Sequence, residues 1–311
     1  MIRTLHIQNY KSIVDHSIEL GRLNVFIGEN GCGKTNLLEA VAMAGAASIG
    51  KVDTEELHSR GVRIARPSIT LSSFQGQKAK KKVRIDLALA DEDNKLPVFF
   101  EFMPVDPESI TTEWAVPLSS PTDEARDKTI AELNAKLSET ADTPRLRAEH
   151  NREYKKALAK LTELLLGGVE QRGVVTRLLS GYAIYNITAP ALRGIVADSR
   201  REPLGIYGEN LDVVIASLPK SELQELITGA NLMGWFDSLF LDTDDALKLK
   251  GYKLGRSTSR LYFRDKFMRR AANILSAENA NEGVLHVLFY LTLFLSKKTP
   301  AFLRLIISKQ V

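Results

Sequence analysis

Residues 28–35 read Gly28-Glu29-Asn30-Gly31-Cys32-Gly33-Lys34-Thr35, the full G-x-x-x-x-G-K-T pattern of a phosphate-binding loop. Glycines at these positions let backbone N–H groups turn toward an anion where a side chain would intrude. The Lys34 ammonium can reach the outer phosphates of a nucleotide, and the Thr35 hydroxyl can take a Mg²⁺ coordination position. Upstream, Leu23-Asn24-Val25-Phe26-Ile27 is a short apolar run that reads as a buried strand feeding the loop. Downstream, Leu37-Leu38-Glu39-Ala40-Val41-Ala42-Met43 has helical spacing and good helix formers, so a helix starts near Lys34 and aims its positive end at the same anion. Strand, glycine-rich loop and helix together predict a nucleotide site.

Composition sets bounds around that site. The chain has 311 residues, 44% hydrophobic and 26% charged, with a mean hydropathy of −0.12. These values describe a globular chain large enough for two lobes. The longest apolar run, Val284 to Leu295, is interrupted by His286 and Thr292 and falls short of the roughly 18 residues of a membrane span, so it reads as a buried helix. The N-terminal Met1-Ile2-Arg3-Thr4-Leu5-His6 lacks the apolar core of a signal peptide, which makes the cytoplasm the expected location. A net charge of +4 permits contact with nucleic acid without requiring it. Cys32 is the single cysteine and excludes an internal disulfide; inside the phosphate loop it contributes chiefly its backbone. The five histidines show no metal-ligand spacing.

Further along the chain, strands are expected around Ile2, Leu5 and Ile7, and again across Ile13–Leu20. The alternating stretches Val83, Ile85, Leu87, Leu89 and Val98, Phe100, Phe102, joined by Asp91-Glu92-Asp93-Asn94-Lys95, predict an antiparallel β element. Apolar stripes at Ile130, Leu133, Leu137 and at Tyr154, Leu158, Leu161, Leu165 suggest an inserted helical hairpin. The expected division is therefore 1–121 as an N-terminal lobe, 122–170 as a helical hairpin and 171–311 as a C-terminal lobe.

Two further stretches complete a pattern. Ile2 to Ser12, with Asn24 to Asn36, resembles the ATPase heads of the RecF, SMC and OLD group, often filed as AAA family ATPases. Ala189-Pro190-Ala191-Leu192-Arg193, Gly208-Glu209-Asn210-Leu211 and Asn281-Glu282-Gly283 before an apolar helix are similar to the bacterial OLD-like members. The resemblance implies an α/β P-loop NTPase fold: an ABC-type head with a mixed sheet, an antiparallel β element and a helical insertion. It implies ATP and Mg²⁺ as ligands, bound by Gly28, Glu29, Asn30, Gly31, Cys32, Gly33, Lys34, Thr35 and Asn36. Lys34 and Thr35 are the implied catalytic groups, and Thr35 the implied metal ligand. Two heads of such ATPases sandwich the nucleotide, so a homodimer or higher oligomer is implied. Asn281, Glu282 and Gly283 then cap the γ-phosphate from the second copy. Gln75 or Gln77 is the candidate for a metal-linked glutamine.

The resemblance ends before an acidic strand appears. Pro300 to Ile307 takes the place of the strand that carries the acidic pair in such heads, yet no Asp or Glu follows Glu282, and Arg304 falls where a buried strand is expected. Hydrolysis is therefore left open, and the expectation is a truncated chain, produced by a reading-frame shift near residue 302, which resequencing of the locus would check. Leu87-Ala88-Leu89-Ala90-Asp91-Glu92 imitates the acidic strand but reads better as a hairpin turn, and Leu239-Phe240-Leu241-Asp242 is a weaker imitation. By resemblance, the leading role is the ATPase of an antiphage defence system of the Septu or retron-linked kind, with a separate nuclease of HNH type as partner. Alternatives are a RecF-like recombination and repair ATPase that contacts DNA or an RNA–DNA hybrid, in which the lysines 78–82 could touch phosphates, or a non-catalytic nucleotide-binding module.

Overall fold

The computed structural model describes residues 2–78, 80–91, 94–111, 113–116, 118–119, 173–195, 203–242, 257–296 and 304–306, with isolated positions at 128, 130–131, 155–156 and 247. The inserted hairpin expected over 122–170 lies almost wholly outside these residues. The chain divides into two compact units, Met1–Leu57 with Arg63–Ser180, and His58–Val62 with Gly181–Val311.

In the first unit, β1 (Ile2–Tyr10), β2 (Ile13–Glu19), β3 (Val83–Asp91), β4 (Asn94–Pro104), β5 (Trp114–Ala115) and β6 (Leu118–Ser119) form one sheet, ordered β2-β1-β3-β4-β5 with β6 also on β4. Every pairing in it is antiparallel. Register follows the period of two: Leu5 faces Leu87 and Ile7 faces Ile85, while Phe100 flanks Ile85 and Val98 flanks Leu87. All six are buried. The intervening positions His6, Arg84, Asp86 and Glu101 form the polar face. A register shift between Ile2 and Thr4 explains why the apolar positions of β1 begin three apart and then alternate. Asp91 pairs with Asn94 at the end of the β3–β4 ladder, so Leu87–Asp91 belongs to an antiparallel strand paired with the one that follows it.

Helix α1 (Lys34–Ser48) packs on β1 and β3 and is buried continuously from Leu38 to Ala47. Alanines at 40, 42, 44, 46 and 47 make it apolar on all sides, which suits a helix enclosed rather than one lying on a surface. The expectation for Leu23–Ile27 is corrected. This segment pairs with no strand among the described residues, and Leu23, Val25 and Ile27 are 85%, 72% and 91% exposed. An apolar run becomes a strand only where a ladder partner takes up its N–H and C=O groups. Here both edges of β1 are already used by β2 and β3. The sheet of the first unit is wholly antiparallel.

In the second unit, β8 (Phe236–Leu241), β9 (Leu261–Asp265) and β10 (Ile274–Ser276) form an antiparallel sheet, while β7 (Ala183–Tyr185) pairs in parallel with β11 (Arg304–Ile306). The helix Glu282–Leu295 lies at the centre of this unit's core, with Val284, Leu285, Leu288, Phe289 and Leu293 buried. Tyr185 of β7 meets Phe289 edge-on at 5.7 Å between ring centroids. Helix Lys220–Ala230 packs against the same helix. No helix among the described residues is long and apolar enough to cross a membrane.

Candidate functional site

The phosphate loop folds as its glycines dictate. Gly31 and Gly33 have φ of +89° and +96°, the left-handed region that L side chains rarely adopt. Beside Gly31 there is open space, whereas a Cβ on Gly33 would come within 3.0 Å of the Ser12 hydroxyl. Gly33 is also the N-cap of α1 and places no side chain over the helix end. The first-turn N–H groups of α1 therefore face the loop with no capping side chain, where an anion is favoured by both hydrogen bonding and the helix dipole. Residues 28–32 are exposed. The Lys34 ammonium folds back onto the carbonyls of Gly28 at 2.6 Å and Glu29 at 2.8 Å. A triphosphate competes with those two carbonyls for the same ammonium. The donor set (backbone amides, a helix N-terminus and one ammonium) fits a phosphate chain. Thr35 offers a single hydroxyl, which suits Mg²⁺ held mainly by phosphates and water.

A second group of residues borders the loop from the β1–β2 turn. Asn36 donates through Nδ2 to the Ser12 hydroxyl at 2.8 Å, and its Oδ1 accepts from Arg63 at 2.9 Å. One helical turn further on, the Glu39 carboxylate is fully buried. It accepts from Lys11 Nζ at 2.6 Å, from Arg63 Nε at 2.7 Å, from the Arg63 backbone N–H at 3.0 Å and from the Tyr10 hydroxyl at 3.4 Å. Burial pushes the Glu39 carboxyl up, and the hydrogen bonds and charges of Arg63 and Lys11 together outweigh it, holding the group below its ordinary value. Arg63 is raised chiefly by its hydrogen bond to Glu39. Lys11 has φ of +48°, uncommon for a residue with a Cβ, and its N–H is fixed to the Thr70 carbonyl at 2.7 Å.

These residues open onto a cavity of about 660 Å³ lined by Lys11, Ser12, Asn36, Arg63, Ile64 and Phe74, among others. It is a shallow depression open to solvent, and its lining brings together two cations, polar groups and a half-exposed aromatic ring. The Arg63 side chain is 63% exposed although its guanidinium donates through Nε and Nη2 to Glu39 and through Nη2 to Asn36, so its charge is both anchored and open to solvent.

The geometry therefore assembles Gly28 to Asn36 and adds Lys11, Ser12, Glu39 and Arg63, to which the sequence assigns no role. A signal for Glu39 was visible, since it is a lone carboxylate within an apolar helix. Asn281, Glu282 and Gly283 lie in the second unit. Asn281 is the N-cap of its helix and accepts from the Gly283 N–H at 2.8 Å, with Glu282 in the first turn. All three are exposed. Gln75 and Gln77 are exposed in the turn after Phe74. Asp242, from the second imitation of an acidic strand, is buried and accepts from the Leu247 N–H at 2.8 Å, which marks it as a turn-stabilising group.

A glycine-lined loop at the head of a buried helix, with a lysine and a threonine at its end, defines a nucleotide-binding P-loop ATPase, and the chain belongs to the AAA ATPase domain family, whose model matches residues 1–165. Membership makes it an ATP-binding ATPase of the P-loop α/β class. Among individual proteins, the DNA replication and repair protein RecF of Halothermothrix orenii is 40% identical over 55 residues, which cover 17% of this chain and 15% of that protein. The chain thus matches only a small part of that curated relative's length.

Proposed function

We propose that this protein binds Mg²⁺–ATP at residues 28–36 and serves as the ATPase component of a bacterial antiphage system with a separate nuclease partner, working in the cytoplasm as a homodimer or higher oligomer. The observation that carries nucleotide binding is the uncapped N-terminus of α1 behind Gly31 and Gly33. Backbone amides there hold the β- and γ-phosphates, Lys34 exchanges its two carbonyl partners for phosphate oxygens, and Thr35 orients the metal. The adjoining cavity takes the nucleoside end, with Arg63 and Lys11 supplying positive charge beside it. In the oligomer, Asn281, Glu282 and Gly283 of a second copy approach the γ-phosphate. The defence role itself rests on the resemblance of segments 189–193, 208–211 and 281–283 to OLD-like ATPases, an argument from kinship rather than from geometry.

Titration calorimetry with Mg²⁺ and ATP tests the site. Lys34→Ala is expected to weaken binding by about 150-fold or more, because two charge-assisted hydrogen bonds of about 1.5–3 kcal/mol each are removed. Unchanged affinity in that variant overturns the site. Phage plating on cells carrying the gene with its neighbours tests the role; protection that survives Lys34→Ala removes the ATPase from it. The 40% identity to part of RecF favours a second reading, a DNA recombination and repair ATPase, distinguished by damage sensitivity rather than phage sensitivity of a deletion strain.

A further inference from the structure

The β9–β10 hairpin of the second unit carries a surface with no part in the nucleotide site. Between Arg264 and Arg270 the chain reads Arg264-Asp265-Lys266-Phe267-Met268-Arg269-Arg270, four cations against one carboxylate. All but Asp265 are exposed. Phe267 is 77% exposed and Met268 is 42% exposed. Leu232, 89% exposed, belongs to the neighbouring turn, whose Trp235 carbonyl accepts from the Lys266 N–H at 3.0 Å. Several cations of the first unit are matched by acids: Lys82 by Glu101, Arg84 by Asp86, and Lys11 and Arg63 by Glu39. Lys266, Arg269 and Arg270 have no carboxylate partner among the described residues. The one acid in the run is engaged by the loop's own backbone, with Asp265 Oδ1 accepting from the Phe267 N–H at 2.8 Å.

The loop is ordered by its own backbone. The Asp265 N–H donates to the Asn273 carbonyl at 3.0 Å and the Ala272 N–H to the Arg269 carbonyl at 2.8 Å. Lys266 Nζ lies 5.4 Å from the centre of the Phe267 ring, and Arg264 lies 5.3 Å from that of Phe240, which itself stacks on Tyr262 at 5.8 Å. An aromatic ring facing solvent on a backbone-ordered loop, edged by cations with no carboxylate partner among the described residues, has the chemistry of a base-stacking platform beside a phosphate-binding track. A preformed loop also gives up little conformational freedom on binding.

We propose that this hairpin binds single-stranded nucleic acid, with Phe267 stacking on an unpaired base and Lys266, Arg269 and Arg270 contacting the flanking phosphates. A duplex keeps its bases stacked on one another and offers the ring no free face, which is why a single strand is the fitting ligand. An anionic membrane matches the charge but gains little from so small an apolar area, namely Phe267, Met268 and Leu232. The lysine run over 78–82 shares the charge but has no aromatic residue within it.

The test is fluorescence anisotropy of a labelled 20-nucleotide oligo-dT with the full chain, without nucleotide, so that failure of the ATP site leaves it intact. Micromolar binding at about 50 mM salt is expected, together with a linear fall of log affinity against log salt. Arg269→Gln with Arg270→Gln should weaken binding about 10-fold or more and make that slope shallower by about 1.4, at roughly 0.7 for each single-strand phosphate that is no longer neutralised. Phe267→Ala should weaken it about 5- to 150-fold with the slope unchanged, the size of one base–aromatic stack. Neither change should alter the melting temperature or ATP affinity. Four results overturn the proposal: no binding by the unmodified chain, an unaltered affinity and slope in the double variant, duplex bound as tightly as single strand, or binding confined to phosphatidylserine vesicles.

Discussion

At the scale of single residues, the decisive group is Glu39. A carboxylate with no exposure survives in a core only when its charge is met by well-placed donors, and Lys11, Arg63 and Tyr10 supply them. Removing one side of such a cluster leaves the other side's charge stranded. Glu39→Ala is therefore expected to destabilise the protein by about 3–5 kcal/mol, measured by urea unfolding, with a change below about 1 kcal/mol contradicting the role given to it. Because its folded pKa is lowered, the stability it contributes is present above the ordinary Glu value and disappears as pH falls through the lowered one. His6 behaves with the opposite sign. It lies on the polar face of the sheet, 2.8 Å from Asp15 and 3.1 Å from Asp86. Its pKa is raised chiefly by the hydrogen bond to Asp15. The protonated ring is favoured in the fold, so its contribution is complete below the ordinary His value and fades as pH rises through the raised one. Replacing His6 with Asn should lower the melting temperature by about 1–2 °C at pH 5.5 and leave it nearly unchanged at pH 8.5. An equal drop at both pH values would falsify the charged pairing.

At the scale of elements, α1 and the helix Glu282–Leu295 show how far an amino-acid pattern reaches. The first is expected to start near Lys34 and spans Lys34–Ser48; the second is expected from Val284 and begins at Glu282, capped by Asn281. Long apolar periodicity with a cap residue gives helix position almost directly. The strand expected at 23–27 failed because strand formation depends on a neighbour that a local pattern cannot name. Packing then fixes energies. Leu288 is fully buried at the centre of its unit, so Leu288→Ala should cost about 2–5 kcal/mol by denaturant unfolding. A cost near zero would mean that this helix is not enclosed as described.

At the scale of the whole molecule, the proposed role makes an assembly prediction: sedimentation with a non-hydrolysable ATP analogue and Mg²⁺ should show a doubled mass that Lys34→Ala abolishes, and a monomer under all conditions overturns the shared-nucleotide arrangement. Much of the proposed site was legible in the chain itself, because eight contiguous residues from Gly28 to Thr35 carry both the glycines that set the loop's backbone and the lysine and threonine proposed to hold phosphate and metal. The β3–β4 hairpin was legible for the same local reason, as alternation broken by a turn. What the sequence by itself determined, then, are the properties carried by neighbours along the chain: loop conformation, helix position and the pairing of adjacent strands. The tertiary structure alone decided that Lys11, Arg63 and Glu39 meet beside that loop, that β1 pairs with β3 across some eighty positions, and that Leu23–Ile27 has no ladder. Those outcomes depend on which distant segments approach one another, and approaches of that kind are set by packing the whole core rather than by any stretch read alone.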